Sequence, residues 1–222
     1  MTIRVFLADD QQLVRAGFRM LIESQDDMSV AGEAENGAET CDTLAVTAAD
    51  VVLMDVRMPR MDGVEATKRI AERGGGPRIL VLTTFDLDEY VYAGLRAGAS
   101  GFLLKDTPPE ALLGAIRDVH RGDSVVAPSA TRRMLERFAD VFPSGEDDGP
   151  DPRLADLTER ECEVLELIGQ GLSNSEIAER LVLAEATVKT HIGRVLSKTG
   201  SRDRVQLVVL AYDAGLVSPR SN

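Results

Sequence analysis

Val51-Val52-Leu53-Met54-Asp55 is a run of four apolar residues closed by an acid, and Val56-Arg57-Met58-Pro59 follows directly. Two β-branched valines in a short uncharged run predict a strand covered on both faces, the pattern of a parallel sheet. Asp55 then stands at the strand's carboxyl end, the edge at which open α/β sheets bind ligands. Pro59, which has no N–H, fits a chain that has already left the ladder. A single aspartate in such a place is ordinarily a solvated loop residue, so its neighbours decide whether it is more.

On both sides of this strand, short apolar runs alternate with helical periodicities. Ile3 to Ala8 reads as a strand ending at Asp9-Asp10, after which Leu13, Val14, Phe18, Leu21 and Ile22 return at three- and four-residue steps. Met28 to Ala34 reads as a second, weaker strand and Ala38 to Ala48 as a second helix. After the opening strand, Gly63 to Arg73 is helical until Gly74-Gly75-Gly76-Pro77 stops it. Arg78 to Thr83 is a strand, Asp88 to Ala97 a helix, Gly101 to Leu104 a short strand, and Pro108 to Arg121 a helix with Pro109 in its first turn. Five βα units predict a five-stranded, doubly wound parallel α/β domain over residues 1–124.

The alternation stops near Val125. Residues 125–153 contain one further helical pattern, Pro128 to Phe142, and a Pro/Gly-rich acidic stretch from Pro143 to Pro152 that reads as a linker. Residues 154–217 are purely helical. Thr158 with Glu161, and Ser173 with Glu176, match the S/T-x-x-E capping box that opens a helix. Cys162, Leu165 and Ile168 are expected to face the core from the first of these helices, and Ile177, Ala178 and Leu181 from the second. A turn at Leu181-Val182-Leu183 leads to a third helix from Glu185 to Lys198, ended by Gly200, and Asp203 to Ala214 is a fourth. The second and third describe a helix-turn-helix.

The 222 residues are 44% hydrophobic and 4% aromatic, with no Trp, which suffices for two aliphatic cores. No apolar run reaches the roughly 18 residues needed to cross a bilayer, and Met1-Thr2-Ile3-Arg4 lacks the apolar segment of a secretion signal. A cytoplasmic protein without a membrane partner is expected. Cys41 and Cys162 lie far apart with no CxxC, so both are expected to be free, buried thiols. A formal charge of −12 excludes nonspecific nucleic-acid binding by the whole surface. Within residues 187–204, however, Lys189, Arg194, Lys198, Arg202 and Arg204 face only one acid, Asp203, so any DNA contact is local.

If the first and third strands are neighbours, Asp9, Asp10 and Asp55 meet at one sheet edge. Three crowded carboxylates repel unless a cation sits among them, and oxygen ligands without His or Cys point to Mg²⁺. Such an ion suits phosphate chemistry. Thr83 and Lys105 end the fourth and fifth strands, bringing a hydroxyl and an ammonium to the same edge. Asp9-Asp10, Asp55 with Met58-Pro59, Thr83, and Phe102-Leu103-Leu104-Lys105 resemble the receiver domain of bacterial two-component response regulators over residues 3 to about 122. The resemblance implies that Asp55 accepts a phosphoryl group from a sensor histidine kinase. It implies that Asp10, Asp55 and the main-chain oxygen of Arg57 hold Mg²⁺, with Asp9 acting through water. Lys105 would pair with phosphoryl oxygens, Thr83 would swing toward them, and Phe102 would move with that threonine.

On the Glu185–Lys198 helix, Val188, Ile192, Val195 and Leu196 form an apolar stripe. Thr190, Gly193, Arg194 and Ser197 point the other way, with Lys189 and His191 on the flanks. A small, polar, cationic face of this kind fits the major groove, where Arg or Lys meets guanine and a threonine methyl meets thymine. Leu157-Thr158-Glu159-Arg160-Glu161, Gly171-Leu172-Ser173-Asn174-Ser175-Glu176-Ile177-Ala178 and Thr187-Val188-Lys189-Thr190-His191-Ile192 resemble the LuxR-type DNA-binding domain. With the receiver they make the chain similar to NarL-type response regulators. That resemblance implies recognition of double-stranded promoter DNA through Lys189 and Thr190, with Thr187 and Lys198 near phosphates and His191 on the packing or phosphate side. It also implies a homodimer on activation, with Val205, Val208 and Val209 of the last helix as candidate contacts. Two positions depart from the family pattern. Gly193 removes one potential base contact, and Ala184 leaves the recognition helix without a Ser or Thr cap, at a cost of about 0.5–2 kcal/mol. The first turn of that helix is therefore expected to be loosely ordered without DNA.

Two other functions compete with this reading. A Mg²⁺-dependent phosphohydrolase with Asp55 as catalytic nucleophile would call for D-x-D at the first strand in the haloacid dehalogenase pattern, where this chain has Asp9-Asp10-Gln11. A receiver-like regulator working without phosphorylation would not need the full set of acids, hydroxyl and lysine. The expected protein is a regulator, enzymatic only in phosphorylating and slowly dephosphorylating itself.

Overall fold

The computed structural model describes residues 2–83, 93–122 and 151–217, and these fall into two units that divide at residues 125/126. In the first unit five strands, β1 (Ile3–Ala8), β2 (Met28–Ala34), β3 (Val51–Asp55), β4 (Arg78–Thr83) and β5 (Gly101–Leu104), form one sheet in the order β2-β1-β3-β4-β5. Every pairing is parallel. All five residues of β3 are buried, as an uninterrupted apolar run in the middle of a parallel sheet requires.

Helices α1 (Gln12–Glu23), α2 (Gly37–Leu44), α3 (Gly63–Glu72) and α4 (Pro109–Arg121) belong to the same unit. Val5, Leu7, Val51, Leu53, Leu80 and Leu82 join Ile22 of α1 and Leu112, Ile116 and Val119 of α4 in one core. The alternate strand residues Phe6, Val52, Met54, Ile79 and Val81 are equally buried and face the other way by the pleat. Asn36 and Asp62 cap α2 and α3 through the N–H groups of Glu39 and Glu65. The sequence placed α2 one residue late and ran it four too far, to Ala48; it ends at Leu44. Of the expected Asp88–Ala97 helix, residues 93–96 are helical and the rest lies outside the described residues. The Pro128–Phe142 helix and the acidic linker from Pro143 to Pro150 also lie outside them.

The described residues of the second unit form helices α5 (Glu159–Gly169), α6 (Asn174–Leu181), α7 (Glu185–Thr199) and α8 (Arg204–Asp213), preceded by a 3₁₀ turn at Pro152–Leu154. Both expected capping boxes are formed in full. The α6–α7 turn passes through Val182 at φ 54°, and Gly200 (φ 67°) ends α7. Val164, Leu165, Ile168, Ile177, Val188 and Val195 are buried. Leu181 and Cys162 are only half-buried, so the thiol expected inside is at the core's margin while Cys41 is buried. A Cβ on Gly169 would come within 2.6 Å of the Ala211 Cβ, which shows how closely α5 and α8 cross.

One expectation is overturned. Val205, Val208 and Val209 are 1%, 1% and 6% exposed, inside the core that α8 forms with α5. They cannot present a dimer contact. Along α8, Val205 and every residue from Leu207 to Ala211 are buried, and a helix apolar nearly all round belongs at a domain's centre rather than at its surface.

Candidate functional site

The sheet order places β1 beside β3 where the winding reverses, the switch point at which α/β sheets open a crevice. Register carries the residues there: Ala8 pairs with Met54, so Asp9 follows one step beyond β1, level with Asp55 at the end of β3. Thr83 pairs with Leu104, and Lys105 leaves β5 with its N–H bonded to the Thr83 carbonyl at 2.8 Å. Ligand atoms of Asp9, Asp10 and Asp55 all lie within 4.8 Å of one another. The Lys105 ammonium is 2.7 Å from Asp9 Oδ2 and 3.0 Å from Asp55 Oδ2. Asp9 and Asp55 are buried and Asp10 is exposed. Thr83 is 3% exposed and Phe102 half-buried, paired in register with Val81.

The loop after Asp55 is held tightly. Gly63 donates to the Val56 carbonyl at 2.8 Å and Gly37 to the Met61 carbonyl at 3.0 Å. A Cβ at Gly63 would fall 1.9 Å from the Asp55 carbonyl oxygen, so only glycine lets α3 start this close to the acid. Arg60 adopts φ 66° in the same loop, a left-handed conformation uncommon for any side chain but glycine's.

Burial pushes the Asp55 carboxyl above its usual range; the Lys105 charge opposes that, Asp9 adds to it, and the Arg57 N–H hydrogen bond opposes it. Burial works against the Lys105 charge, but the hydrogen bond to Asp9 and the charge of Asp55 outweigh it and hold the ammonium above ordinary lysine. Three carboxylates against one ammonium leave the cluster negative. Asp9 Oδ2 is buried against the Lys105 ammonium, and the three carboxylates offer only oxygen ligands. That set fits a hard divalent cation such as Mg²⁺.

On α7, Thr187, Lys189, Thr190, Gly193 and Arg194 are exposed together. Thr190 Oγ1 donates to the Ala186 carbonyl at 2.9 Å, which fixes its rotamer. His191 is half-buried, and its buried Nδ1 has no hydrogen-bond partner. Ala184 stands at the N-cap in extended conformation with no side-chain bond. Two cations of the basic island are committed within the domain. Lys198 Nζ donates to Glu161 Oε2 at 2.6 Å. Arg204 donates to Asn174 Oδ1 at 2.7 Å and to the Leu172 carbonyl. The Lys198 bond, with the Thr158 N–H, holds the Glu161 carboxyl down to about 2. Glu161 was read from sequence only as a capping residue; its spacing from Lys198 carries no local periodicity that would reveal the pair.

A family profile described as response regulator receiver domain matches residues 5–117, and a second, described as bacterial regulatory proteins, luxR family, matches residues 155–211. The chain belongs to the response regulators. This response regulator is 45% identical over 215 residues to the uncharacterized transcriptional regulatory protein YxjL of Bacillus subtilis, covering 97% of each chain. It is 40% identical over 216 residues to the transcriptional regulatory protein LiaR of the same organism, covering 97% of this chain and 100% of LiaR. Among solved structures, response regulator ChrA of a heme-sensing two-component system superposes with TM-score 0.52 at 37% identity, covering 97% of this chain and 99% of that one. The RcsB–DNA complex gives TM-score 0.55 at 25% identity, covering 96% and 99%. The protein is thus a DNA-binding response regulator of a two-component system, with a receiver domain and a LuxR-type helix-turn-helix, and a regulator rather than a conventional enzyme.

Proposed function

We propose that Asp55 is the phosphoacceptor of this response regulator, taking its phosphoryl group from a sensor histidine kinase, and that the modified chain pairs with a second copy on promoter DNA in the cytoplasm. The observation that carries this is the meeting of Asp55 with Asp9, Asp10 and Lys105 at the sheet's switch point. An Asp55 oxygen attacks phosphorus; a P–O bond forms as the P–N bond to the kinase histidine breaks, and the imidazole leaves with a proton from solvent. Asp9, Asp10, Asp55 and the Arg57 carbonyl would hold Mg²⁺, which when bound neutralises charge on the transferring group. Lys105, already within 3.0 Å of Asp55, turns its charge to the new phosphoryl oxygens. Thr83 donates its hydroxyl to them, and Phe102 moves inward behind it.

The receiver spans residues 1–124 in this reading and the DNA-binding domain 154–217, joined by the linker 125–153. Lys189, Thr190 and Arg194 read base edges from α7, with Thr187 and His191 toward the backbone. Lys198 is a weaker phosphate contact, since it must first leave Glu161. No helix among the described residues is long and apolar enough to cross a membrane.

Incubation of the full chain with acetyl phosphate and Mg²⁺, resolved on Phos-tag gels beside size-exclusion chromatography, tests the reading. One phosphoryl group per chain and a dimer peak are expected, both absent in Asp55→Ala. Equal labelling of Asp55→Ala would overturn it.

A further inference from the structure

We infer that Arg15 is a positioning residue for the acidic site, setting the direction of Asp10 and so the affinity for the divalent cation; this rests on the metal reading given above. Arg15 is 6% exposed in the first turn of a helix, where an arginine is almost never so deeply buried unless paired. Its Nη1 donates to the Asp9 carbonyl at 2.6 Å, its Nε to Glu33 at 3.2 Å and its Nη2 to Glu35 at 3.0 Å. The Asp9 carbonyl belongs to the peptide joining Asp9 to Asp10. A peptide is planar, so fixing that oxygen fixes the plane from which the Asp10 backbone departs.

Asp9 has every other polar group pinned as well. Its N–H donates to the Ala34 carbonyl at 3.2 Å, its Oδ1 accepts from the Gln11 N–H at 2.9 Å, and Oδ2 faces Lys105. The exposed Asp10 gets its direction from the backbone, which Arg15 holds at the Asp9 carbonyl and the Asp9 carboxylate holds at the Gln11 N–H. Three acceptors lying in different directions call for the planar fork of a guanidinium, which an ammonium cannot reproduce. Glu33 and Glu35 also explain how a buried cation is tolerated beside a cation site: they balance the Arg15 charge, so that it orients the acids without repelling the metal. Glu33 is held in turn by Arg19 at 2.6 Å.

The test is Mn²⁺ titration of the unphosphorylated full chain, with free ion counted by electron paramagnetic resonance and fold checked by circular dichroism. Arg15→Met is expected to bind about 10-fold more weakly, the scale on which residues behind a metal's direct ligands act. Arg15→Lys should fall between Arg15→Met and the unmodified chain, since it keeps the charge and one of the three bonds. The bound-ion line shape should change in both, which a general loss of stability would not produce. Unchanged affinity in a folded Arg15→Met overturns the inference. If Arg15→Met does not fold, Arg15→Lys decides: several-fold weaker binding upholds the inference, and unmodified affinity overturns it. A wild-type chain that binds no Mn²⁺ overturns the metal reading itself.

Discussion

Lys105 is the residue on which the acidic cluster balances. Its ammonium lies within 3.0 Å of two buried carboxylates and keeps 12% exposure. Removing one partner of such a group leaves like charges facing each other, a loss larger than the worth of the original pairing. Lys105→Met should destabilise the receiver at pH 7 by about 1–3 kcal/mol, less than for a fully dry pair because some solvent reaches the site. The sign with pH follows from Asp55, whose carboxyl already ionises above its usual 3.8 and is pushed further up without Lys105. The deficit should shrink as pH falls through that raised value and Asp55 takes up a proton. Urea unfolding of variant and unmodified chain at pH 7 and pH 4.5, with and without Mg²⁺, checks this, and Mg²⁺ should restore much of the loss at pH 7. The acids, Thr83 and Lys105 were legible in the sequence because each closes an apolar run whose register is set by parallel pairing. Arg15 was not: in the α1 pattern it is one charged residue in a helix, and only the fold brings it to the Asp9 carbonyl and to two acids at the end of β2.

Between elements, Glu161 joins the start of α5 to the end of α7 while also closing the Thr158 capping box. Its carboxyl is lowered from 4.5 to about 2, so its contribution is complete above the unfolded value and is lost as pH falls from about 4.5 toward 2. Amide exchange of the full chain should show the last turn of α7 losing protection across that window. Lys198→Met should begin less protected and vary little with pH between the same limits. The α6–α7 turn carries a separate strain. Val182 is β-branched, 90% exposed and left-handed at φ 54°, a conformation costing about 1–2 kcal/mol for residues other than glycine. Val182→Asn, which tolerates that region, should stabilise the C-terminal unit by about 1 kcal/mol, raising its calorimetric transition by about 4–8 °C in a domain of this size. The limits of β1, β2, β4 and β5 fall where the sequence places them, because an acid, a proline or a serine lies within two residues of an end of each. The dimer valines failed for the opposite reason. A buried central helix and an amphipathic pairing helix share the same valines, and only the accompanying Leu207, Leu210 and Ala211, buried on the remaining sides, separate the two.

For the whole molecule, charge and function pull in opposite directions. The chain is −12 overall, and a phosphoryl group adds about −1.5 to −2 more, so phosphorylation makes every copy a poorer polyanion ligand by simple electrostatics. On α7 the exposed Lys189 and Arg194 work against that, while Lys198 and Arg204 are engaged inside the domain. A gain in DNA affinity on phosphorylation therefore has to come from doubling the basic faces on one duplex, with half-sites about one helical turn apart. Pairing has a signature that better exposure of a single domain lacks. Each phosphate neutralised contributes about −0.9 to the slope of log affinity against log salt, so two bound domains should give about twice the slope of one. Fluorescence anisotropy between 50 and 200 mM salt, on duplexes selected from a random pool, is expected to show that doubling in phosphorylated chain relative to Asp55→Ala. Tighter binding at an unchanged slope would mean that phosphorylation frees a single recognition helix instead of assembling two.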